Sequence, residues 1–339
     1  MDSPKPTKLL VIPGPIEVAD EVLLANASAS VSHVSAGFIG IFGETLEMLL
    51  KLFTPQSRRV VSFRGQRFGN LRMGYGSCEL GRTCVCSVAS EEIRFDDWNL
   101  DVVLSASQKG LGTPPGLCIS IASDRALKTL ETRKTPISTY YASWKKWLPI
   151  MKAYQAGDIL GTNDDFILLV WKIIHQQQTH KSNHSLHKSL KLILENPKLS
   201  LEERFLRHKQ ASQKVKEAVE NKLGLKQLSV NQQSNVIGKM LEKDLVIAGG
   251  LHKDCKDRYI RIGHMGLTAI EHPLQHIDKI VVGLTDSLKQ LGHDPVQNNL
   301  WATLPPTLVL TDEMEEKKKE KILGGPLSTS EFGFGRHDT

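Results

Sequence analysis

Long apolar runs are missing from this chain. The longest, FILLVWKII at Phe166 to Ile174, carries Lys172 and is far too short to cross a bilayer. The opening KLLVI is broken at once by Pro13-Gly14-Pro15, unlike the apolar core of a secretory leader. Cysteine is scarce and odd in number: five, at Cys78, Cys84, Cys86, Cys118 and Cys255. That argues against a disulfide framework and for a reducing compartment. A block of one charge is missing too. The formal net charge is +6, and the one dense run, EEKKKEK at Glu315 to Lys321, mixes both signs. Nucleic acid is therefore not an expected partner, and neither is a membrane. What remains is a soluble intracellular protein, placed equally well in cytosol, peroxisome or mitochondrion. Its 339 residues suffice for one large domain and a smaller one.

The pattern along the chain predicts an α/β architecture. A short strand at Leu9 to Ile12 enters the rigid Pro-Gly-Pro turn. Asp20 to Ala25 and Glu44 to Phe53 read as helices. In the second, Leu46, Leu49, Leu50 and Phe53 fall at helical spacing. Three apolar runs of strand length follow: CVCSVAS (Cys84 to Ser90), DVVLSAS and GLCISIAS. DRALKTLETR then reads as a helix, so strands and helices alternate. Ser200 with Glu203 forms a capping box. It opens a helix whose apolar stripe is Leu201, Phe205, Val215, Val219 and Leu223, closed by Gly224. DLVIAGG and RYIRIGHMG are strand-like, and HIDKIVVGLTDSLKQLG is an amphipathic helix stopped by Gly292.

Chemistry concentrates in DVVLSASQKGLGTPPGLCISIAS, Asp101 to Ser123. Lys109 stands at the joint of two strands, followed by Gly and Pro residues that restrict backbone motion. An amine that is to condense with a carbonyl needs such a fixed place. The bland reading, a solvated turn lysine, is the commoner one for loop lysines in general.

Resemblance to a family weighs in here. LLVIPGPIEV, VSHVSAGFIGIFGETLEMLLKLF, VCSVASEEIRFDDWNLDVVLSASQKGLGTPPG, TYYASWKKW and VIAGGLHKDCKDRYIRIGHMG resemble the alanine–glyoxylate and serine–pyruvate aminotransferases. These are class V, fold-type I, pyridoxal-phosphate enzymes. The resemblance implies a central, mostly parallel sheet flanked by helices, incomplete here, and a smaller α+β C-terminal domain. It implies pyridoxal 5'-phosphate as cofactor, with Lys109 as its Schiff-base anchor and Gln108 in contact with it. Arg261 would grip the substrate carboxylate, and Gly14 would lie near the substrate. Implied too are transamination between alanine or serine and glyoxylate or pyruvate, and a homodimer. The domain division that follows is a large cofactor domain over 1–157, a foreign linker over 158–187, a small domain over 188–292 and a tail over 293–339.

The chain departs from that family at defined places. Thr83 stands where the family carries an aspartate under the pyridine nitrogen. The span from Phe53 to Cys84 is too short for the family's phosphate loop and stacking aromatic residue. Pro55 to Thr83 has six arginines, five glycines and no lysine. DILGTNDDF follows YQAG where a TPP-containing segment is expected, and a small-domain strand is missing near Asn231 to Val236. Abrupt junctions of this kind are what intron-derived or out-of-frame sequence produces, and a transcript read across Phe53 to Cys84 tests that. The alternative function is accordingly a member of the family that no longer turns over and at most binds a subunit. No metal is expected. His175, His180, His184 and His187 include helical spacings but read as a polar linker, and Cys84 with Cys86 as strand cysteines.

Overall fold

The computed structural model describes residues 8–29, 31–32, 35–53, 60–65, 81–83, 87–137, 143–157, 177–225, 240–251, 253, 256, 259–270 and 275–293. All lie in the unit Met1–Pro295; the unit Val296–Thr339, with the expected tail, lies outside the described residues.

Two large apolar cores and one small cluster, of Val102, Ala122 and Ala126, organise the described chain. In the first, helix α1 (Asp20–Asn26) precedes α2 (Ala36–Lys51). The second helix begins eight residues before its sequence-based start, because Gly37, Gly40 and Gly43 mask the pattern there. The Ser35 hydroxyl accepts from the Phe38 amide at 3.4 Å and sets the start. Phe38, Ile39, Phe42, Leu46 and Leu49 then share one buried stripe. Gly43 lets α2 meet the Tyr154 carbonyl of α4 (Trp144–Gln155), since a β-carbon there would strike it. Phe42 packs edge-on against Tyr154 at 5.4 Å.

A four-stranded sheet contributes to this core. Its strands are β2 (Val60–Gly65), β3 (Gly81–Thr83), β4 (Val102–Ala106) and β5 (Leu117–Ala122), in the order β2-β5-β4-β3. β3 runs parallel to β4, whereas β5 is antiparallel to both its neighbours. The mostly parallel sheet is thus resolved only in part. The Arg-rich stretch, which has no period of its own, supplies β2. Sequence periodicity also placed a strand at Cys84 to Ser90. Instead Ser87 to Ser90 form a turn, in which the amides of Ser90 and Glu91 donate to the Ser87 carbonyl. Helix α3 (Asp124–Thr132) follows β5, capped by Ser123, whose hydroxyl also donates to Asp101 at 3.1 Å.

Helix α5 (Gln177–Leu194) occupies ground that reads as a polar linker up to His187. Leu186, Leu190 and Ile193, one per turn, complete the first core, and Ser185 bonds the Val22 carbonyl of α1 at 3.3 Å.

The second core gathers α6 (Leu201–Glu217), with a π-turn at Ala218–Lys222, and α8 (His276–Gln290). The short α7 (Leu267–Ile270) lies between them in sequence. Gly224 and Gly292 stop the long helices with φ of +60° and +79°. β1 (Leu9–Leu10) pairs in parallel with β6 (Leu245–Val246), and Val11 is fully buried in this core. Core membership therefore does not follow chain order. The first residues described belong with the last ones, and the path between the cores runs through Pro13-Gly14-Pro15. β7 (Ala248–Gly249) pairs with β8 (Ile260–Arg261). β8 is shorter than RYIRIGHMG suggested because Gly263 turns away to donate to the Val11 carbonyl at 2.7 Å.

Candidate active site

The β4–β5 connection is a closed loop stabilised from inside. The fully buried Ser107 donates its hydroxyl to the Pro114 carbonyl at 3.1 Å and accepts the Leu117 amide at 3.3 Å. Both the amide and the hydroxyl of Thr113 donate to the Ser107 carbonyl. The Gly112 amide, at φ +66°, reaches the Lys109 carbonyl at 2.7 Å. From α5, the Ser189 hydroxyl bonds the Leu111 carbonyl. These polar groups of the loop are thus satisfied within the fold, and the apex carrying Gln108 and Lys109, both half-buried, has a fixed path.

The Lys109 side chain crosses from this apex to the other end of the chain. Its Nζ donates to the Pro13 carbonyl. Gly14, at φ +132°, lies directly under it: a β-carbon there would occupy the place of the Lys109 amine and its δ and ε carbons. Two residues singled out from sequence are therefore in contact, and the φ of +132° at Gly14 is one that other side chains rarely adopt.

Arg261 sits half-buried on β8. Its Nε donates to the Gly249 carbonyl at 2.8 Å, which orients the guanidinium. Among the described residues no carboxylate pairs with it, so its terminal nitrogens can receive one. The structure links Arg261 to Lys109 by backbone rather than by side chain. Gly263, two residues on, bonds Val11 and packs its Cα against the Ile12 carbonyl, one residue before Pro13. Thr83 is placed opposite Leu104, one strand over from the strand that leads to Lys109. Residues 54–59 and 66–80, the expected place of a phosphate loop, lie outside the described residues, as do Cys78, Cys84, Cys86 and Cys255. Cys118 is buried on β5.

Two further polar groups stand beside the lysine turn. Ser90 is buried with a hydroxyl that has no hydrogen-bond partner among the described residues, and it lies against Gly110. Arg204 of α6 reaches the same turn, donating to the carbonyls of Ala89 at 2.7 Å and Gly110 at 3.0 Å. One helical turn later, His208 Nε2 accepts the Gly266 amide at 3.0 Å. An amide can only donate, so the ring proton is on Nδ1, which donates to the Arg204 carbonyl at 2.8 Å. Burial, with the Arg204 charge next in weight, holds the His208 pKa down to about 4. His264 is also held below the ordinary value, chiefly by burial.

Sequence reasoning missed Arg204 and His208. The signal was present, since counting back from Val215 along the buried stripe passes Ala211 and lands on His208 and Arg204. They were passed over because a stripe search accepts only apolar residues.

Of the four histidines weighed as a metal set, His175 lies outside the described residues, and among the described residues no three metal-type side chains cluster. His187 bonds Glu44 at 2.7 Å instead. That bond, and after it the one to Lys191, lowers the Glu44 pKa. Among the described residues no helix is long and apolar enough to cross a membrane.

No protein-family model matches the chain. Alanine–glyoxylate aminotransferase 1 of Saccharomyces cerevisiae is 33% identical over 210 residues, 57% of this chain and 50% of that protein. The chain resembles the alanine–glyoxylate aminotransferases. It spans about half the length of the curated relatives it matches. Its fold is that of fold-type I aminotransferases. An alanine–glyoxylate aminotransferase from Nostoc superposes with a TM-score of 0.64, covering 84% of this chain and 96% of that one, at 17% identity. Pyridoxamine–pyruvate aminotransferase from Mesorhizobium loti gives a TM-score of 0.66, covering 86% and 95%, at 13% identity.

Proposed function

We propose that this chain carries out pyridoxal-phosphate-dependent transamination, moving an amino group from alanine or serine to glyoxylate or pyruvate. The observation that carries the reading is the Lys109 amine, held by the Pro13 carbonyl over a glycine on a closed loop. The residues present fit the cofactor at this point. A fixed primary amine, a neighbour without a side chain and the orphaned Ser90 hydroxyl beside the turn are what a bound aldehyde needs around it. When bound, pyridoxal phosphate supplies an aldehyde for amines and a ring that draws electrons from the substrate Cα.

This chain's residues then have separate tasks. Lys109 would hold the cofactor, and its amine, once free, would move the proton off the substrate Cα and on to the cofactor within the same half-reaction. Gln108 would contact the cofactor. Arg261 forks onto the substrate carboxylate and so fixes the direction of the Cα–H bond. Gly14 leaves room for the substrate beside the amine. A second subunit, in a homodimer, completes the site.

Thr83 supports a second reading, of a family member that no longer turns over. A hydroxyl holds a ring nitrogen protonated far less well than a carboxylate does. One assay separates the two. Protein supplied with cofactor, alanine and glyoxylate is expected to yield pyruvate and glycine, with the yield abolished in Lys109→Ala. No product from the folded wild-type chain with glyoxylate and either alanine or serine would favour the second reading.

A further inference from the structure

Arg204 is a charged side chain only 5% exposed, and it is spent on main-chain carbonyls. Burying a guanidinium is costly, and apolar replacements of such groups often stabilise. What an arginine provides in return is geometry, a planar fork whose donors point in fixed directions. Here the fork joins two segments. Gly110 follows Lys109 directly. Ala89, at φ +63°, lies between Val88 and Ser90, both of which touch Gly110 so closely that a β-carbon there would not fit. The lysine turn is thereby pressed onto the Ser87–Ser90 turn and fastened.

One helical turn later the same helix holds a second segment. His208 takes the Gly266 amide, and Arg207 Nη1 donates to the Ile270 carbonyl at 2.9 Å. Gly266 lies five residues after Arg261 in RIGHMG and has a φ of +64°. His208 and Arg204 are joined to each other through the Arg204 carbonyl. The first two turns of α6 therefore grip the loop of the amine and the segment of the carboxylate-binding arginine at once.

We propose that Arg204 and His208 are positioning residues that set Lys109 and the Arg261 segment relative to one another. Its consequence for chemistry rests on the transamination reading, but the positioning itself is measurable without cofactor.

Residue-resolved hydrogen exchange on the full chain tests it in the wild type, Arg204→Lys, His208→Leu and His208→Gln. A lysine keeps the charge but not the fork. In R204K the Gly112 and Thr113 amides, both bonded within the lysine loop, are expected to exchange about tenfold faster. Core amides of α2 such as Leu46 and Leu49 keep wild-type rates. In H208L the Gly266 amide loses protection, and in H208Q, which restores an acceptor, it regains it. In parallel, borohydride trapping of pyridoxal phosphate on Lys109 slows in R204K while labelling of exposed Lys128 does not. Wild-type protection at Gly112, Thr113 and Gly266 in folded variants overturns the proposal. So does a uniform rise that includes α2, which would make the pair mere fold supports. Absence of trapping on wild-type Lys109 defeats the transamination reading instead, and the exchange rates still decide the positioning.

Discussion

Lys109 is defined as much by its neighbour as by itself. A lysine in a Gly and Pro joint is legible in sequence, but not what the amine touches, because Pro13 and Gly14 lie nearly a hundred residues away. The contact makes a specific demand. Gly14→Ala puts a β-carbon where the amine lies, at a φ of +132° that side chains rarely adopt. Cofactor trapping on Lys109 should then slow roughly ten- to hundredfold, the scale of a 1 Å misplacement. Circular dichroism that stays native in the same variant makes that a local effect, and an unchanged trapping rate would show that Gly14 is a plain turn glycine. Arg204 and His208 teach the opposite lesson about legibility. Their positions follow from helical period alone, and only their polarity hid them.

At the scale of elements, two features decide the site: the loop between β4 and β5, and the helices that brace it. Both strands were legible, since each is a mainly apolar run, broken only by one serine, and is buried on both faces. The bracing was not. Helix α5 reads as a polar linker because histidines, serines and lysines fill most of its N-terminal half, and its apolar contacts come from Leu186, Leu190 and Ile193 further on. The packing predicts that this helix is structural. Leu190 is fully buried in the first core, and Leu190→Ala is expected to cost about 2–5 kcal/mol in urea unfolding. A cost under about 1 kcal/mol would detach α5 from that core. Ser189, on the same helix, bonds the Leu111 carbonyl two residues past Lys109, so loosening α5 should also loosen the lysine loop.

Across the whole molecule, the site is a junction. The N-terminal segment belongs to the second core through β1 and Val11, yet delivers Pro13 and Gly14 to a lysine loop in the first. α6 crosses the same gap with Arg204 and His208. No local sequence pattern encodes that arrangement, because it is made of contacts between distant segments, several of them to backbone carbonyls. It does leave a signature in stability. His208 has a folded pKa of about 4 against an ordinary 6.5, lowered by burial, by Arg204 and by His264. Above pH 6.5 the ring is neutral in both states and its contribution is intact. As pH falls from 6.5 towards 4 the unfolded chain takes up the proton and the folded chain does not. Stability therefore drops, by on the order of 3 kcal/mol. His264 and His276, also lowered, act in the same direction. Urea midpoints should fall between pH 7 and pH 4.5, and less steeply in His208→Gln. Equal slopes in the two proteins would remove His208 as the cause.

The central claim, that Lys109 is the amine around which this junction is built, has one direct measurement. The full chain is incubated with pyridoxal phosphate, reduced with borohydride and digested, and the modified peptide is located by mass. The cofactor's mass is expected on Lys109 at low cofactor concentration, ahead of every other lysine and absent in Lys109→Ala. Modification spread over surface lysines with Lys109 no more reactive than the rest would contradict it.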